Sequence, residues 1–459
     1  MKQKIFTAIF LIVLFSGCAS FQHEKENSLE VKVPQAFNEN FYGKAKIDRW
    51  WQDFNNEELN FLVETALNNN NTIKKAFETL KKADSALAKE KSDLFPDIDI
   101  NGGISETRTD KNTSKSSSIG LEAGYEIDLW GKINSQVNAS RFSRNAAQSD
   151  LESAAVTIAS ETVSAWKNYV SVSSRLEILD GILNENQKQL KVLKLRYKNG
   201  MANASDVYDH KKEILALKET INSARLEKQL LSNRLLYLTG LDSLEVKTQK
   251  LPDLPQMPET GISSDLLESR PDIKASFSRL MASEQNLYNA KKNMLPSLSI
   301  SASAGLSSNE FSLSFDDWIS KLAANLTAPV FRGGYLRQEV KRSKAERNEY
   351  LYSYKDIVLS AFKEVSDAVS QEKAQKEKLL FLEQRIKASE ASLFYAENEY
   401  KNGSSDYISY IERYNYLKNL ESVLISEKSA LIEDRISLYR AIGSTWTKQF
   451  VKDMENKNE

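Results

Sequence analysis

The tetrapeptide Tyr197-Lys198-Asn199-Gly200 returns letter for letter as Tyr400-Lys401-Asn402-Gly403, an offset of 403 − 200 = 203 positions. Gly240 and Gly443 keep the same offset, 443 − 240 = 203. Nearly half the chain is therefore a second copy of the other half, with the same breaks. A repeat of this length decides the architecture before any local propensity does, because whatever one copy folds into, the chain holds twice.

The repeat is built on heptads. Ala155, Ile158, Thr162, Ala165, Tyr169, Val172, Leu176, Leu179, Leu183, Asn186, Leu190, Leu193 and Tyr197 are spaced by alternating steps of three and four. Adding 203 gives Val358, Ala361, Val365, Ala368, Glu372, Gln375, Leu379, Leu382, Ile386, Ser389, Leu393, Ala396 and Tyr400, again mostly apolar or small. An average step of 3.5 keeps one seam facing a partner helix, which is the pattern of a left-handed coiled coil. Each long helix is expected to stop at its Tyr-Lys-Asn-Gly, where glycine supplies a left-handed conformation. The step then resumes in a return helix, through Val207, His210, Ile214, Leu217 and Ile221 in one copy and Tyr410, Leu417, Leu420 and Leu424 in the other. Short connections between heptad helices make antiparallel hairpins. A helix over 132–198 would run roughly 100 Å, longer than a single globular core requires.

Composition excludes several functions. The 459 residues carry a formal net charge of −1, with basic and acidic side chains interspersed, so nothing favours nucleic acid. Two histidines, His23 and His210, and one cysteine leave no metal cluster or Cys/His nucleophile pair and no disulfide within the chain. No Gly-rich phosphate loop is present, so no enzyme, cofactor or metal site is expected. Asp97 and Asp99, two apart on a strand, project on one face and fit a lumen lining better than a metal pair.

The single cysteine has a place of its own. Lys2 and Lys4 precede an apolar run from Ile5 to Phe15, followed by Leu14-Phe15-Ser16-Gly17-Cys18-Ala19. This resembles a lipoprotein signal over 1–17, with Cys18 as the acylated first residue of the mature chain. Ala19 in place of an aspartate resembles lipoproteins sent to the outer membrane, where several acyl chains give stable anchoring.

Beyond that leader no run approaches the roughly 20 apolar residues of a spanning helix. Strand patterns do occur, twice, each after a proline that stops a helix (Pro96 and Pro296). Strands are expected over 97–107 and 118–130 in the first copy and over 297–307 and 318–331 in the second, with polar loops Glu106–Ser117 and Ser307–Asp317 between them. Ile98, Ile100 and Ile104 alternate with Asp97, Asp99 and Asn101; Ile119, Leu121, Ala123 and Tyr125 oppose Glu122, Glu126 and Asp128. In the second copy Leu298, Ile300, Ala302 and Leu306 alternate with serines, and Trp318, Leu322 and Leu326 oppose Lys321, Asn325 and Thr327. Strands near ten residues long with one apolar face suit an outer-membrane barrel. Four cannot close one, and lipid tolerates no open edge. A homotrimer would supply 4 × 3 = 12 strands, an even number within the known range.

These features together resemble the TolC family of trimeric outer-membrane efflux channels, in its lipoprotein branch. The resemblance rests on Trp50-Trp51-Gln52-Asp53-Phe54, on Glu268-Ser269-Arg270-Pro271-Asp272-Ile273, on Tyr125 through Lys132, and on Ala328 through Gly334, in order and with the duplication. It implies a mainly α fold with a small β part. Duplicated long antiparallel coiled-coil helices would form a periplasmic α-barrel, and four strands per chain would join a trimeric 12-stranded outer-membrane β-barrel. The implied domains are a lipidated segment over 18–56, a first repeat over 57–250, a linker over 251–262, a second repeat over 263–443 and a C-terminal tail over 444–459. Segments 34–56, 240–262 and 443–459 would form a girdle around the tunnel.

The resemblance also implies a role for the tip. The turns 197–205 and 400–408, with Tyr197, Lys198, Asn199, Gly200, Tyr400, Lys401, Asn402 and Gly403, would meet a periplasmic adaptor, itself coupled to an inner-membrane pump of the resistance-nodulation-division type. Asp206, Asp209, Tyr400, Ser409 and Glu412 fall at the gate or constriction. Tyr400 and Asp206 match residues that tie neighbouring coils, while Ser405 stands where that network has an arginine. Two other readings fit parts of the pattern: an exit for secreted proteins, and a lipidated coiled-coil adaptor without the barrel.

Overall fold

A computed structural model describes residues 48–258, 269–308 and 318–458. The expectations for the leader, for Cys18 and for the second strand loop beyond Ser308 lie outside the described residues. A 3-10 turn, Trp50–Phe54, opens the described chain. The first copy then runs α1 (Glu57–Asn69), α2 (Asn71–Ser92), β1 (Asp97–Arg108), β2 (Thr113–Ile127), α3 (Lys132–Lys198) and α4 (Ala204–Thr239). The second runs α5 (Pro271–Lys292), β3 (Ser297–Ser308), β4 (Trp318–Thr327), α6 (Tyr335–Lys401) and α7 (Tyr407–Ile442), followed by α8 (Thr447–Asn458).

The duplication survives in the lengths. α3 and α6 each have 67 residues, α4 and α7 each 36, and α2 and α5 each 22. It survives in the packing as well. Val172, Leu176 and Leu179 of α3 meet Ile221 and Ala224 of α4, with Leu183 and Leu217 packed alongside. Leu382 and Ile386 of α6 meet Leu417 and Leu420 of α7, with Leu424 alongside. These are the heptad positions in both copies, so the seam read from the sequence is the one buried. Each buried leucine contributes about 1.5–3 kcal/mol of transfer free energy. Among the described residues no helix is long and apolar enough to cross a membrane.

The four strands form one antiparallel sheet in the order β1-β2-β3-β4. Its register sorts the side chains. Ile98 faces Ala123 and Ile100 faces Leu121; Tyr125 faces Ile300 and Ile119 faces Leu306; Leu298 faces Leu326 and Ala302 faces Leu322. Directly paired residues share a face, so one side of the whole sheet is apolar. Asp99, Glu122 and Ser303, with Lys321, lie on the other side. The apolar face is bare within the chain: Ile100 is 72 % and Leu322 77 % exposed. Among the described residues β1 and β4 each keep one edge without a partner. At the centre the backbones meet closely, where Gly120 pairs with Gly305. A Cβ on Gly305 would stand 2.6 Å from the Ile119 carbonyl oxygen.

Four expectations change. The first loop, expected over Glu106–Ser117, shrinks because β1 continues to Arg108 and β2 begins at Thr113, their polar residues still pairing through the backbone. The returning strands end at Ile127 and Thr327 rather than 130 and 331. Asp128 does not line the polar face of β2; it lies past the strand, and its carboxylate accepts from the Ile133 and Asn134 backbone amides at 3.0 and 2.9 Å, capping α3. The segment 444–459, read as a tail, holds helix α8, which packs on α3.

Around the start of α1 and the C-terminal ends of α4 and α7 the chain segments are fastened by aromatic contacts and hydrogen bonds. Trp50 stacks on Tyr439 at 5.1 Å, and Trp51 meets Trp446 edge-on at 5.0 Å. Glu58 accepts from the backbone amides of Lys247 and Thr248 and from the Thr248 hydroxyl. Those hydrogen bonds hold its carboxyl below the usual range although burial works to raise it. The 240–258 stretch is thus tied to α1 by one carboxylate.

Candidate gating site at the helix-hairpin turns

Both Tyr-Lys-Asn-Gly turns are the same backbone motif. Gly200 lies at φ +71° and Gly403 at φ +72°. The Gly200 amide donates to the Tyr197 carbonyl and the Met201 amide to the Arg196 carbonyl; Gly403 and Ser404 repeat this with Tyr400 and Glu399. These paired bonds close a helix end through a left-handed residue, and glycine adopts that conformation without steric cost. Tyr197, Lys198, Asn199, Lys401 and Asn402 are exposed around the turns.

The return helices start differently. Asn203 caps α4, and Asp206 reaches back to accept from the Asn203 amide at 3.0 Å, completing a capping box. In the second copy Asp406 is the cap, accepting from the Ser409 amide at 2.9 Å. Ser409 occupies the Asp206 place and receives Arg413 on its hydroxyl at 2.6 Å. Asp209 pairs with Lys212 on its own helix at 3.0 Å. Glu412 is exposed and has no ion pair among the described residues; it borders an open groove with Arg385, Ser392, Arg413 and Tyr416.

The structure therefore places Asp206, Asp209, Ser409 and Glu412 within the first two turns of α4 and α7, beside the hairpin ends. It does not bring Asp206 onto Tyr400. Tyr400 instead begins an aromatic ladder: it lies 5.1 Å from Tyr407, which stacks 5.6 Å from Tyr410, which lies 6.4 Å from Tyr414.

Contacts that periodicity did not single out join the two copies. The Tyr407 hydroxyl donates to Glu185 at 2.8 Å. Asn186 and Asn415 exchange amide bonds of 2.9 and 3.1 Å. The His210 Nε2 lies 2.9 Å from the Asn186 carbonyl oxygen, so α3, α4 and α7 meet at one residue. Burial works to raise the Glu185 carboxyl, but hydrogen bonds from Lys188 and Tyr407 hold it below the usual range. Burial, then the bond to Glu185 and its charge, push the Tyr407 phenol well above its ordinary value. The signal was Asn186 itself, a buried polar residue at a seam position; its partner on α7 was not readable.

Duplicated coiled-coil hairpins joined to a four-stranded sheet with one apolar face define the fold class of an outer-membrane channel. The chain belongs to the outer membrane efflux protein family, whose model matches residues 62–241 and 262–444. It is 25 % identical over 415 residues to the pyoverdine export outer membrane protein OpmQ of Pseudomonas putida, covering 87 % of this chain and 88 % of that protein. It is 24 % identical over 420 residues to the probable efflux pump outer membrane protein TtgC of the same species, covering 87 % and 86 %. Its fold is similar to the outer-membrane channel OprN (TM-score 0.83, 23 % identity, 93 % of this chain and 99 % of that one). It is also similar to the Campylobacter jejuni CmeC channel (TM-score 0.82, 23 % identity, 93 % and 94 %).

Proposed function

We propose that three copies of this chain form the outer-membrane exit duct of a tripartite efflux system, passive in itself and opened at its hairpin turns. One observation carries the reading. The sheet has a continuous apolar face and two unpartnered edges, and hydrocarbon accepts neither an open edge nor an unpaired backbone group. Copies joined β4 to β1 would close it, while the 67-residue helices continue the duct away from the membrane.

In this reading Cys18 is acylated and anchors each chain in outer-membrane lipid. The turns at 197–205 and 400–408 receive a periplasmic adaptor, and an inner-membrane pump of the resistance-nodulation-division type supplies energy and selects cargo. Asp206, Asp209, Tyr400, Ser409 and Glu412 surround the constriction. A ring of Glu412 carboxylates across a narrow pore favours cations. The names of relatives span pyoverdine, toluene and antibiotics, which accords with a wide duct whose selectivity lies in the pump.

The test is the assembly. Purified in detergent, the full chain runs as a trimer several times its 52.0 kDa protomer mass, with heat-modifiable migration and outer-membrane fractionation. A stable monomer in detergent overturns the reading.

A further inference from the structure

We propose that Glu185, Asn186, Tyr407 and Asn415 are positioning residues of the gate, a polar clamp that holds α7 on α3 and whose release lets the second turn move. The proposal rests on the exit-duct reading above.

The clamp sits where leverage is greatest. Tyr407 is the first residue of α7, immediately after the Asp406 cap, so its hydroxyl fastens the return helix at its origin to Glu185. Two turns on, Asn415 exchanges both amide bonds with Asn186. The Asn186 amide also donates to the Ile182 carbonyl at 2.8 Å, which fixes its rotamer on α3, and it is only 4 % exposed. The Tyr400–Tyr407 contact then carries this anchorage back to the end of α6. Buried polar partners of this kind specify one register, because sliding α7 along α3 leaves amides and a carboxylate unpaired.

The repeat shows that the clamp is a departure from symmetry. By the offset of 203, Glu185 corresponds to Ala388 and Asn186 to Ser389, while Tyr407 corresponds to Ala204 and Asn415 to Lys212. Alanine side chains can neither donate nor accept, and Lys212 engages Asp209 on its own helix. Apolar seam positions were kept between the copies, yet this polar set occurs in one combination only. Within the chain α3 packs on both α4 and α7, and α6 packs on α7. The clamp therefore fastens a seam that joins the two hairpins of a protomer. The corresponding residues of α4 and α6 are Ala204, Lys212, Ala388 and Ser389, which cannot build the same set.

The experiment is single-channel conductance of the full-length trimer in planar bilayers, for Tyr407→Phe, Glu185→Ala, the double variant, and Asn415→Ala. Losing one net hydrogen bond from the closed state shifts the open fraction by roughly 2- to 10-fold, so each single variant conducts more than wild type. The double variant matches the single ones, because Tyr407 and Glu185 act through one bond. Tyr208→Phe, on an exposed face of α4, leaves conductance unchanged. Conductance equal to wild type in all clamp variants, with trimers intact by migration, overturns the clamp alone. Multiplying effects in the double variant overturn the pairing. A wild-type chain that stays a stable monomer in detergent overturns the duct reading and the clamp with it. Tyr407→Phe removes a single hydroxyl, so the test survives if Asn415→Ala fails to fold.

Discussion

Glu372 and Arg435 form a two-pronged ion pair between α6 and α7, with contacts of 2.6 and 2.9 Å and both side chains essentially excluded from solvent. Arg435 turns its remaining donor to the carbonyls of Pro255 and Gln256 at 2.7 and 2.8 Å, pinning the linker to the coil. The first copy has Tyr169 and Ser232 at these places. The pair is thus an addition of the second copy, placed where a linker had to be held.

Removing Arg435 leaves the buried Glu372 carboxylate with Lys376 alone, at 2.7 Å. Arg435→Leu is expected to cost about 3–5 kcal/mol, read by denaturant or thermal unfolding of the trimer. Replacing both by apolar residues recovers much of that loss.

The same carboxylate gives an acid response. Burial works to raise the Glu372 carboxyl, but Arg435 and Lys376 hold it below its ordinary 4.5. A lowered folded value means that its stabilisation is full above the unfolded value and is lost as pH falls through the folded one. Melting temperature measured against pH should therefore fall below about pH 5 in wild type, and fall less steeply in Glu372→Gln.

Gly305→Ala should fail at the sheet. Its Cβ would meet the Ile119 carbonyl oxygen and the Gly120 Cα at 2.6 and 2.7 Å, both backbone. Overpacking of this kind costs about 1–3 kcal/mol, and the loss should show as reduced heat-modifiable trimer in outer-membrane fractions. Gly124→Ala, with open space around it, should assemble normally.

Glu412→Ala combined with Asp206→Ala should raise bilayer conductance if the turn-proximal carboxylates line the constriction. Asp206→Ala alone also removes half of the capping box and should cost about 1 kcal/mol in stability. Unchanged conductance in the double variant would remove both residues from the gate.

Asp128→Ala should destabilise the strand-to-helix junction by about 0.5–2 kcal/mol, the range for an N-cap. Its carboxylate serves two backbone amides and the Asn134 side chain. Chemical denaturation followed by circular dichroism measures it, and Asp128→Asn, which keeps one accepting oxygen of the two, should recover only part of the stability.

The large elements were legible for a simple reason. A heptad of apolar residues such as Leu179, Leu183, Leu217 and Ile221 has one partner geometry, and repeating it 203 positions later doubles the evidence. Period-two alternation likewise assigned the faces of Ile98, Ile100 and Leu322. Ends were less legible, because Arg108 and Thr113 continue the ladder through backbone bonds that their polar side chains do not advertise. Asp128 kept the strand's alternation while already serving the next helix.

The amino-acid sequence by itself determined the duplication, the two long hairpins, the glycine turns that end them and a sheet with one apolar side. These follow from spacing and from residues whose backbone freedom is special, both local properties of the chain. Which side chains meet across the copies was decided by the tertiary structure. Tyr407 finds Glu185 across 222 positions, and Asn415 finds Asn186 across 229. No periodicity encodes such pairs, because a polar residue at a seam announces a partner without naming it. The repeated Tyr-Lys-Asn-Gly gives the two turns one backbone, and the packing of α7 on α3 gives them different surroundings.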